Sequence, residues 1–115
     1  MRPGITKVKA DNKNIPVFLA TIIPAYTDYD SKFDDYNAAI KTLAQNTSGC
    51  FLVDINQYSI CKYYTYYAQG HLTAIGYNQL AKEFYTLISY IMHNNLEAFK
   101  DIQFIGTDYT YGDAT

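Results

Sequence analysis

The chain has 115 residues and a formal net charge of −2, with 49% hydrophobic and 17% charged residues. These values are typical of one small globular domain and exclude a disordered chain. The sequence has no run of lysine or arginine that could form a basic surface for nucleic acid, so no nucleic-acid partner is expected. No apolar stretch reaches membrane-spanning length, which predicts no membrane partner. Residues 1–7 lack a signal-peptide segment, and the cellular location stays open.

The first third of the chain predicts a strand. Residues 1–14 are polar and rich in turn formers, which indicates either a short helix or a lead-in loop. Residues 15–23 then run apolar without alternation, as in a strand of a parallel sheet that is covered on both faces. Pro16 lies at its start, where a missing donor is tolerated, and Pro24 ends it.

A helix and a second strand follow. Ser31 and Asp34 have the spacing of a capping box, and the helix is predicted to end near Asn46. Its apolar residues recur at helical spacing: Phe33, Tyr36, Ala39, Ile40, Leu43 and Ala44. Acidic residues around its start lack the pattern of a calcium loop, so we interpret them as solvated residues favoured by the helix dipole. Residues 50–55 form a second apolar strand, and the two strands predict a right-handed parallel crossover unit.

The segment from 56 to 70 is a long loop, and long loops are often functional. The chain contains 13 tyrosines and no tryptophan. Five of them lie in or beside this loop: Tyr58, Tyr63, Tyr64, Tyr66 and Tyr67. Tyrosine suits binding surfaces, so these rings would either stack on sugars or pack against the sheet end or a partner.

Thr73 is the expected N-cap of the longest helix, which is predicted to end near residues 93–95. Its apolar stripe consists of Tyr77, Leu80, Ala81, Phe84, Leu87, Ile88 and Ile91. His93 at its end is interpreted as a capping or surface residue. Residues 102–105 are a short strand-like piece. We interpret 15–93 as the core and 94–115 as a C-terminal extension of one partial domain.

Two parallel strands rarely form a stable sheet alone, so something must cover the sheet edges. The expected partner is the remainder of a larger domain or a second copy of the chain in a homo-oligomer. Cys50 and Cys61 do not make a disulfide framework; packed thiols are the simpler interpretation, with a bridge as the alternative. No spacing of Cys and His predicts a metal site, and no cofactor is expected.

The run from Gly70 to Tyr77 carries a resemblance to a known family. His71, Thr73, Gly76 and Tyr77 match the last sequence block of the SGNH/GDSL serine hydrolases, in which a catalytic histidine precedes the closing helix. The resemblance covers residues 15–93 and implies an α/β fold. The chain would be part of a three-layer α/β/α sandwich around a parallel, flavodoxin-like sheet, without its N-terminal strands.

This resemblance implies an ester hydrolase, an acyl- or acetylesterase that acts on an ester or glycan substrate, with His71 as general base. The imidazole would accept the serine proton, and the positive end of the following helix disfavours its protonated form. Tyr67 and Gln69 are the expected substrate-binding residues. Ala68 replaces the family's usual aspartate, so a backbone carbonyl, Gln69 or Asp54 would orient the ring. The plainer role of Asp54 is structural, capping loop amides at the strand end. Residues 24–28 and 54–58 are expected near His71, because open α/β sheets bind ligands at the carboxyl ends of their strands.

The nucleophile block Gly-Asp-Ser and the oxyanion-hole blocks are absent from the sequence, so the isolated chain is expected to be inactive. His71 as a loop histidine that bonds the helix start is the plainer interpretation. The alternative function is a non-catalytic binding or structural module that assembles through its sheet edge. A flavodoxin-like nucleotide binder ranks last, because no glycine-rich loop follows either strand.

Overall fold

A computed structural model of the chain describes residues 2–12, 15–23, 31–61, 67–68 and 71–115. These residues form a mixture of helices and short strands. In chain order the elements are α1 (Arg2–Asp11), β1 (Val17–Ala20), α2 (Ser31–Asn46), β2 (Cys50–Val53), α3 (Ile55–Tyr58), β3 (Tyr67–Ala68), β4 (His71–Leu72), α4 (Ala74–Asn94), α5 (Leu96–Phe99) and a 3-10 helix (Tyr111–Ala114). Among the described residues, no helix has both the length and the apolar character needed to cross a bilayer.

The predicted crossover unit is present. Strands β1 and β2 pair in parallel, from Val17 opposite Cys50 to Ala20 opposite Val53, and α2 connects them with the predicted bounds. Both strands are shorter than predicted. After β1, the N–H of Ile22 donates to the side chain of Asn37 instead of a neighbouring strand. After β2, the chain turns into α3 at Ile55.

Helices lie on both faces of the small sheet. On one face, Leu19 packs in a core with Ile5 of α1 and with Ile40 and Ala44 of α2. Because side chains alternate along a strand, Phe18 and Phe51 point to the other face. There they contact the fully buried ring of Phe99, with ring centroids 5.5 and 4.9 Å from it. The chain is therefore an α/β structure built around two parallel strands.

The buried face of α2 differs from the predicted stripe. Ile40 and Ala44 are buried as expected, but Tyr36 is 49% exposed and the neighbouring Asn37 is buried instead. Asn37 faces the end of β1, where the backbone of Ile22 needs hydrogen-bond partners. A polar residue on the inward face of this helix thus makes the backbone hydrogen bonds that a neighbouring strand would otherwise make after β1.

Helix α4 begins as predicted. The hydroxyl of Thr73 accepts a hydrogen bond from the N–H of Gly76 at 3.2 Å, which is an N-cap. The apolar stripe of α4 is only half-buried, and the ring of Tyr77 is 55% exposed. Helix α4 therefore offers apolar surface that the described part of the chain does not cover.

The chain as a whole is less compact than its length predicts. Its accessible surface is 8094 Å², whereas a folded monomer of 13.1 kDa exposes about 6,400 Å². Its radius of gyration is 16.1 Å, against about 13 Å for a compact domain of this length. Within the described residues, β1 and β2 each have one neighbouring strand, so each leaves one edge unpaired.

Three segments of the second half differ from their predicted form. The long loop contains the short helix α3 and the antiparallel pair of β3 and β4. The strand-like piece at 102–105 forms a single bridge, from Gln103 to Thr110, because the chain turns back at Gly106 with a φ of 77°. Cys50 and Cys61 are free thiols, so the structure contains the packed-thiol alternative and not the bridge.

Candidate functional site

His71 lies in β4, directly before helix α4. Its backbone pairs with that of Ala68, and the capping residue Thr73 follows two positions later. The His71 side chain is exposed. Tyr67 pairs with Leu72 in the same ladder, whereas Gln69 lies outside the described residues. The structure thus places His71 at the start of the closing helix with an imidazole that solvent can reach.

The first half of α4 lies beside the carboxyl end of β2. Ser59 and Cys61, a few residues after β2, contact Glu83 and Gly76 of α4. Helix α4 also contacts β2, and His71 directly precedes this helix. Residues 24–28, which we expected at the same edge, lie outside the described residues.

Two polar clusters occupy this edge, and the first joins the ends of the strands. We call it the strand-end cluster; its members are Thr21, Ile22, Asn37, Lys41, Asp54 and Asn56. The buried hydroxyl of Thr21 donates to Oδ1 of Asp54 at 3.0 Å and accepts from the N–H of Asn56 at 2.9 Å. Nζ of Lys41 lies 3.5 Å from the other carboxylate oxygen of Asp54.

Side-chain amides complete the strand-end cluster. Asn37 accepts from the N–H of Ile22 at 2.7 Å and donates to its carbonyl at 3.0 Å. Asn56 donates to the same carbonyl at 2.9 Å. The backbone after β1 is thereby held as a strand neighbour would hold it, so the cluster is structural.

Asp54 does not orient His71 in this arrangement, because Thr21 and Lys41 bind its carboxylate. We expected a capping role for its side chain, but the side chain makes no cap hydrogen bond. Its backbone carbonyl instead accepts the N–H groups of Gln57 and Tyr58. The role of Asp54 is structural, as expected, with different partners.

The second cluster joins the chain after α3 to helix α4. We call it the loop clamp; its members are Ser59, Ile60, Cys61, Gly76, Gln79 and Glu83. Oε1 of Glu83 accepts from the Ser59 hydroxyl at 2.5 Å and from the Cys61 thiol at 3.5 Å. Oε2 accepts from the Ile60 N–H at 3.0 Å and from the Gln79 amide at 3.2 Å. One carboxylate therefore gathers four donors.

The environment of the clamp changes the acidity of two groups. Partial burial works to raise the pKa of Glu83, but the hydrogen bonds from Ser59, Ile60, Gln79 and Cys61 outweigh it, so the pKa is lowered. Burial raises the pKa of Cys61, the Ser59 hydrogen bond opposes this, and the negative charge of Glu83 adds to it. Cys61 is fully buried, so it is a neutral structural thiol.

Glu83 was not predicted as a site residue, although its spacing along α4 could have indicated an inward position. Seven residues separate it from Gly76 and four from Leu87, so all three share one face of α4. Gly76 is buried and Leu87 half-buried, so this face points inward. A carboxylate on the inward face of an amphipathic helix needs polar partners, and here the chain after α3 provides them.

None of the four serines has the setting of a nucleophile. Ser59 is 3% exposed, and its proton is bound by Glu83. Ser31 begins α2, Ser48 lies in the turn before β2, and Ser89 lies within α4. The described residues also contain no group of three potential metal ligands.

A wide groove lies at the opposite end of the sheet. This groove of about 990 Å³ is lined by residues that precede the strands, such as Pro16 and Gly49, and by the end of α5. A smaller hollow of about 190 Å³ lies beside the clamp, between Tyr58 and Lys82. His71 lines neither of these two hollows.

Comparisons of this chain with protein-family models, with curated proteins and with solved structures find no match. A functional interpretation therefore depends on geometry. Its main features are an exposed histidine before α4, two structural polar clusters after the strands, and apolar surface on α4.

Proposed function

We propose that this chain is the C-terminal part of an SGNH-type ester hydrolase, with the imidazole of His71 as the general base. The position of His71 is the observation that supports this proposal. An exposed histidine lies just before the closing helix, and that helix contacts β2 of the parallel strand–helix–strand unit. Open α/β sheets bind ligands at the carboxyl ends of their strands, and in this proposal His71 serves that edge. The family's three-layer sandwich is part of the same proposal.

In this mechanism, neutral His71 takes the proton of a serine hydroxyl while the serine oxygen attacks the ester carbonyl. The protonated ring then returns that proton to the leaving alcohol. The N-terminus of α4 carries partial positive charge, which favours the neutral ring before attack. A histidine that must begin each cycle as a base benefits from such a neighbour.

The serine and the oxyanion donors come from another segment or another chain in this proposal, because the four serines here have other settings. The isolated chain is then inactive. Since Asp54 is bound by Thr21 and Lys41, a backbone carbonyl or Gln69 orients the ring. Substrates are small acyl or acetyl esters, including esters on carbohydrate, bound by Tyr67 and Gln69.

The test compares the two histidines of the chain in the intact native protein. Rates of p-nitrophenyl acetate hydrolysis are measured for wild type, His71→Ala and His93→Ala. His93 is exposed in the last turn of α4 and serves as the matched control. We expect His71→Ala to lose about 10²–10⁴-fold in kcat/KM and His93→Ala to keep the wild-type rate. Equal rates for all three would remove His71 from the mechanism.

A second candidate is a non-catalytic binding or structural module that assembles with other copies and binds glycan or protein through its tyrosines. The half-buried stripe of α4 and the unpaired edges of β1 and β2 favour it. The accessible surface exceeds that of a compact monomer by about 1,700 Å², about twice the roughly 800 Å² that a standard interface buries on each partner.

Sedimentation of the isolated chain tests this second candidate. We expect an oligomer that dissociates when Phe84→Glu introduces a charge into the half-buried stripe of α4. Lys82→Glu, on the exposed side of the same helix, is the matched control and leaves the oligomer intact. A well-folded wild-type monomer would contradict assembly through these surfaces.

A further inference from the structure

We infer that Glu83 is a positioning residue for His71, acting through a clamp that fixes both ends of the segment 62–72 on helix α4. Its functional meaning depends on the proposed role of His71, but the clamp itself does not. Cys61 and Thr73 flank this segment, and both contact Gly76 of α4.

The first end of the segment is fixed at Cys61. Glu83 binds the Ser59 hydroxyl, the Ile60 N–H and the Cys61 thiol, so three consecutive residues contact one carboxylate. The Ser59 hydroxyl also accepts the N–H of Cys61 at 2.9 Å. Ser59 and Cys61 are both buried. The chain therefore leaves for residue 62 from a point that is held on α4.

The second end is fixed at Thr73, and it meets the first end at a single residue. Gly76 donates its N–H to the Thr73 hydroxyl, while its carbonyl lies 3.5 Å from the Cys61 sulfur, whose one proton is shared between this carbonyl and Glu83. Gly76 is buried. The two residues that flank the segment, Cys61 and Thr73, thus contact the same glycine.

His71 lies two residues from Thr73, inside the fixed ends. A base must be held within a few tenths of an ångström of its working position, and its own exposed side chain has little packing to hold it. The clamp supplies that restraint from the backbone. Glu83 is its central member because it accepts four hydrogen bonds, more than any other side chain in the clamp.

Replacing Glu83 by Gln separates this role from simple space filling. Each carboxylate oxygen accepts from two donors. In the glutamine variant one of these oxygens becomes an NH₂ group, which cannot accept and would face two other donors. Ser59 and Cys61, or Ile60 and Gln79, would lose their acceptor. The size of the side chain is unchanged, so the variant removes hydrogen bonds without creating a cavity.

The first measurement is the labelling rate of Cys61 by 4,4′-dithiodipyridine in the full chain. The Cys50→Ala background leaves Cys61 as the one remaining thiol. Because Cys61 is fully buried, it reacts only when the clamp opens. We expect Glu83→Gln to raise the rate at least about tenfold, as the loss of charge-assisted hydrogen bonds predicts. Glu97→Gln, an exposed carboxylate on α5, is the control and leaves the rate unchanged.

The second measurement is the ¹H–¹³C resonances of the two imidazoles, which a merely stabilising role would leave unmoved. We expect Glu83→Gln to shift the His71 ring resonances and to leave those of His93, at the far end of α4, in place. Ser59→Ala removes one of the four donors and is expected to produce the same change to a smaller extent. This milder variant carries the test if Glu83→Gln fails to fold.

Unchanged Cys61 labelling in the folded variant would overturn the clamp. Faster labelling with unmoved His71 resonances would overturn the positioning role of Glu83. Neither measurement involves ester hydrolysis. A wild-type hydrolysis rate in His71→Ala would therefore reject the proposed function while leaving the clamp intact.

Discussion

The strand-end cluster and the loop clamp lie at the same end of the molecule, but they hold the chain in different ways. In the strand-end cluster, two asparagine amides bond the backbone of Ile22, and the carboxylate of Asp54 lies beside a lysine. In the loop clamp, one carboxylate accepts four donors, and none of the ion pairs found among the described residues involves Glu83. The first cluster depends mainly on amide geometry, and the second depends on one negative charge.

The largest effect is expected from breaking the strand-end cluster at Asn37. Asn37→Ala removes both hydrogen bonds to Ile22 and leaves its N–H without an acceptor in a partly buried place. We expect the free energy of unfolding to fall by about 2–3 kcal/mol. Urea unfolding at pH 7, with an unchanged m-value, measures it.

Asn46→Ala is the matched control for this prediction, because Asn46 is the exposed last residue of the same helix. Its free energy of unfolding should stay within about 0.5 kcal/mol of wild type. Equal losses in the two variants would show that Asn37 contributes only helix propensity and that the strand-end cluster does not stabilise the fold.

A smaller and pH-dependent effect is expected from the loop clamp. At pH 7, Glu83→Gln should unfold with about 1–2 kcal/mol less free energy than wild type. The folded pKa of Glu83 is lowered, so its contribution is fully present above the unfolded pKa and is lost as pH falls through the folded pKa. The difference between the two proteins should therefore shrink below a pH of about 4. Urea unfolding from pH 7 to pH 3 measures it.

Urea unfolding of Glu97→Gln over the same pH range is the control for Glu83→Gln. Glu97 is 87% exposed and pairs only with the nearby Lys100, so its removal should cost less than about 0.5 kcal/mol at every pH. Burial raises the pKa of the Cys61 thiol, which faces Glu83, so it stays neutral over this range and does not confuse the result. A stability difference between wild type and Glu83→Gln that stays constant down to pH 3 would contradict a charge-dependent clamp.

The elements that could be predicted share one property: local sequence patterns specify them. The run of apolar residues before Pro24 predicted β1, the spacing of Ile40 and Ala44 predicted the inward face of α2, and Thr73 predicted the start of α4. The exposed position of His71 before the closing helix was also accessible, because the helix start is a local signal. Periodicity and capping involve neighbours in sequence, so no knowledge of the fold was needed.

The two polar clusters could not be predicted, because their members are far apart in the chain. Thr21 and Asp54 are separated by 33 positions, and Ser59 and Glu83 by 24. Asn37 lies outside the predicted apolar stripe of α2, and only the packing of α2 beside the end of β1 gives it a buried position. Which donors meet which acceptors depends on how α2 and α4 pack against the sheet, and no local pattern contains that information.

The amino-acid sequence by itself determined the order of β1, α2, β2 and α4, the parallel pairing of β1 and β2, and the start of the helix that follows His71. These features depend on apolar spacing, turn residues and a cap, which act over a few residues. Only the tertiary structure decided that Asp54 binds groups at the strand ends and that Glu83 binds the chain just before the tyrosine-rich segment. Buried polar groups need hydrogen-bond partners, and which partners they meet depends on how the helices and strands pack in three dimensions.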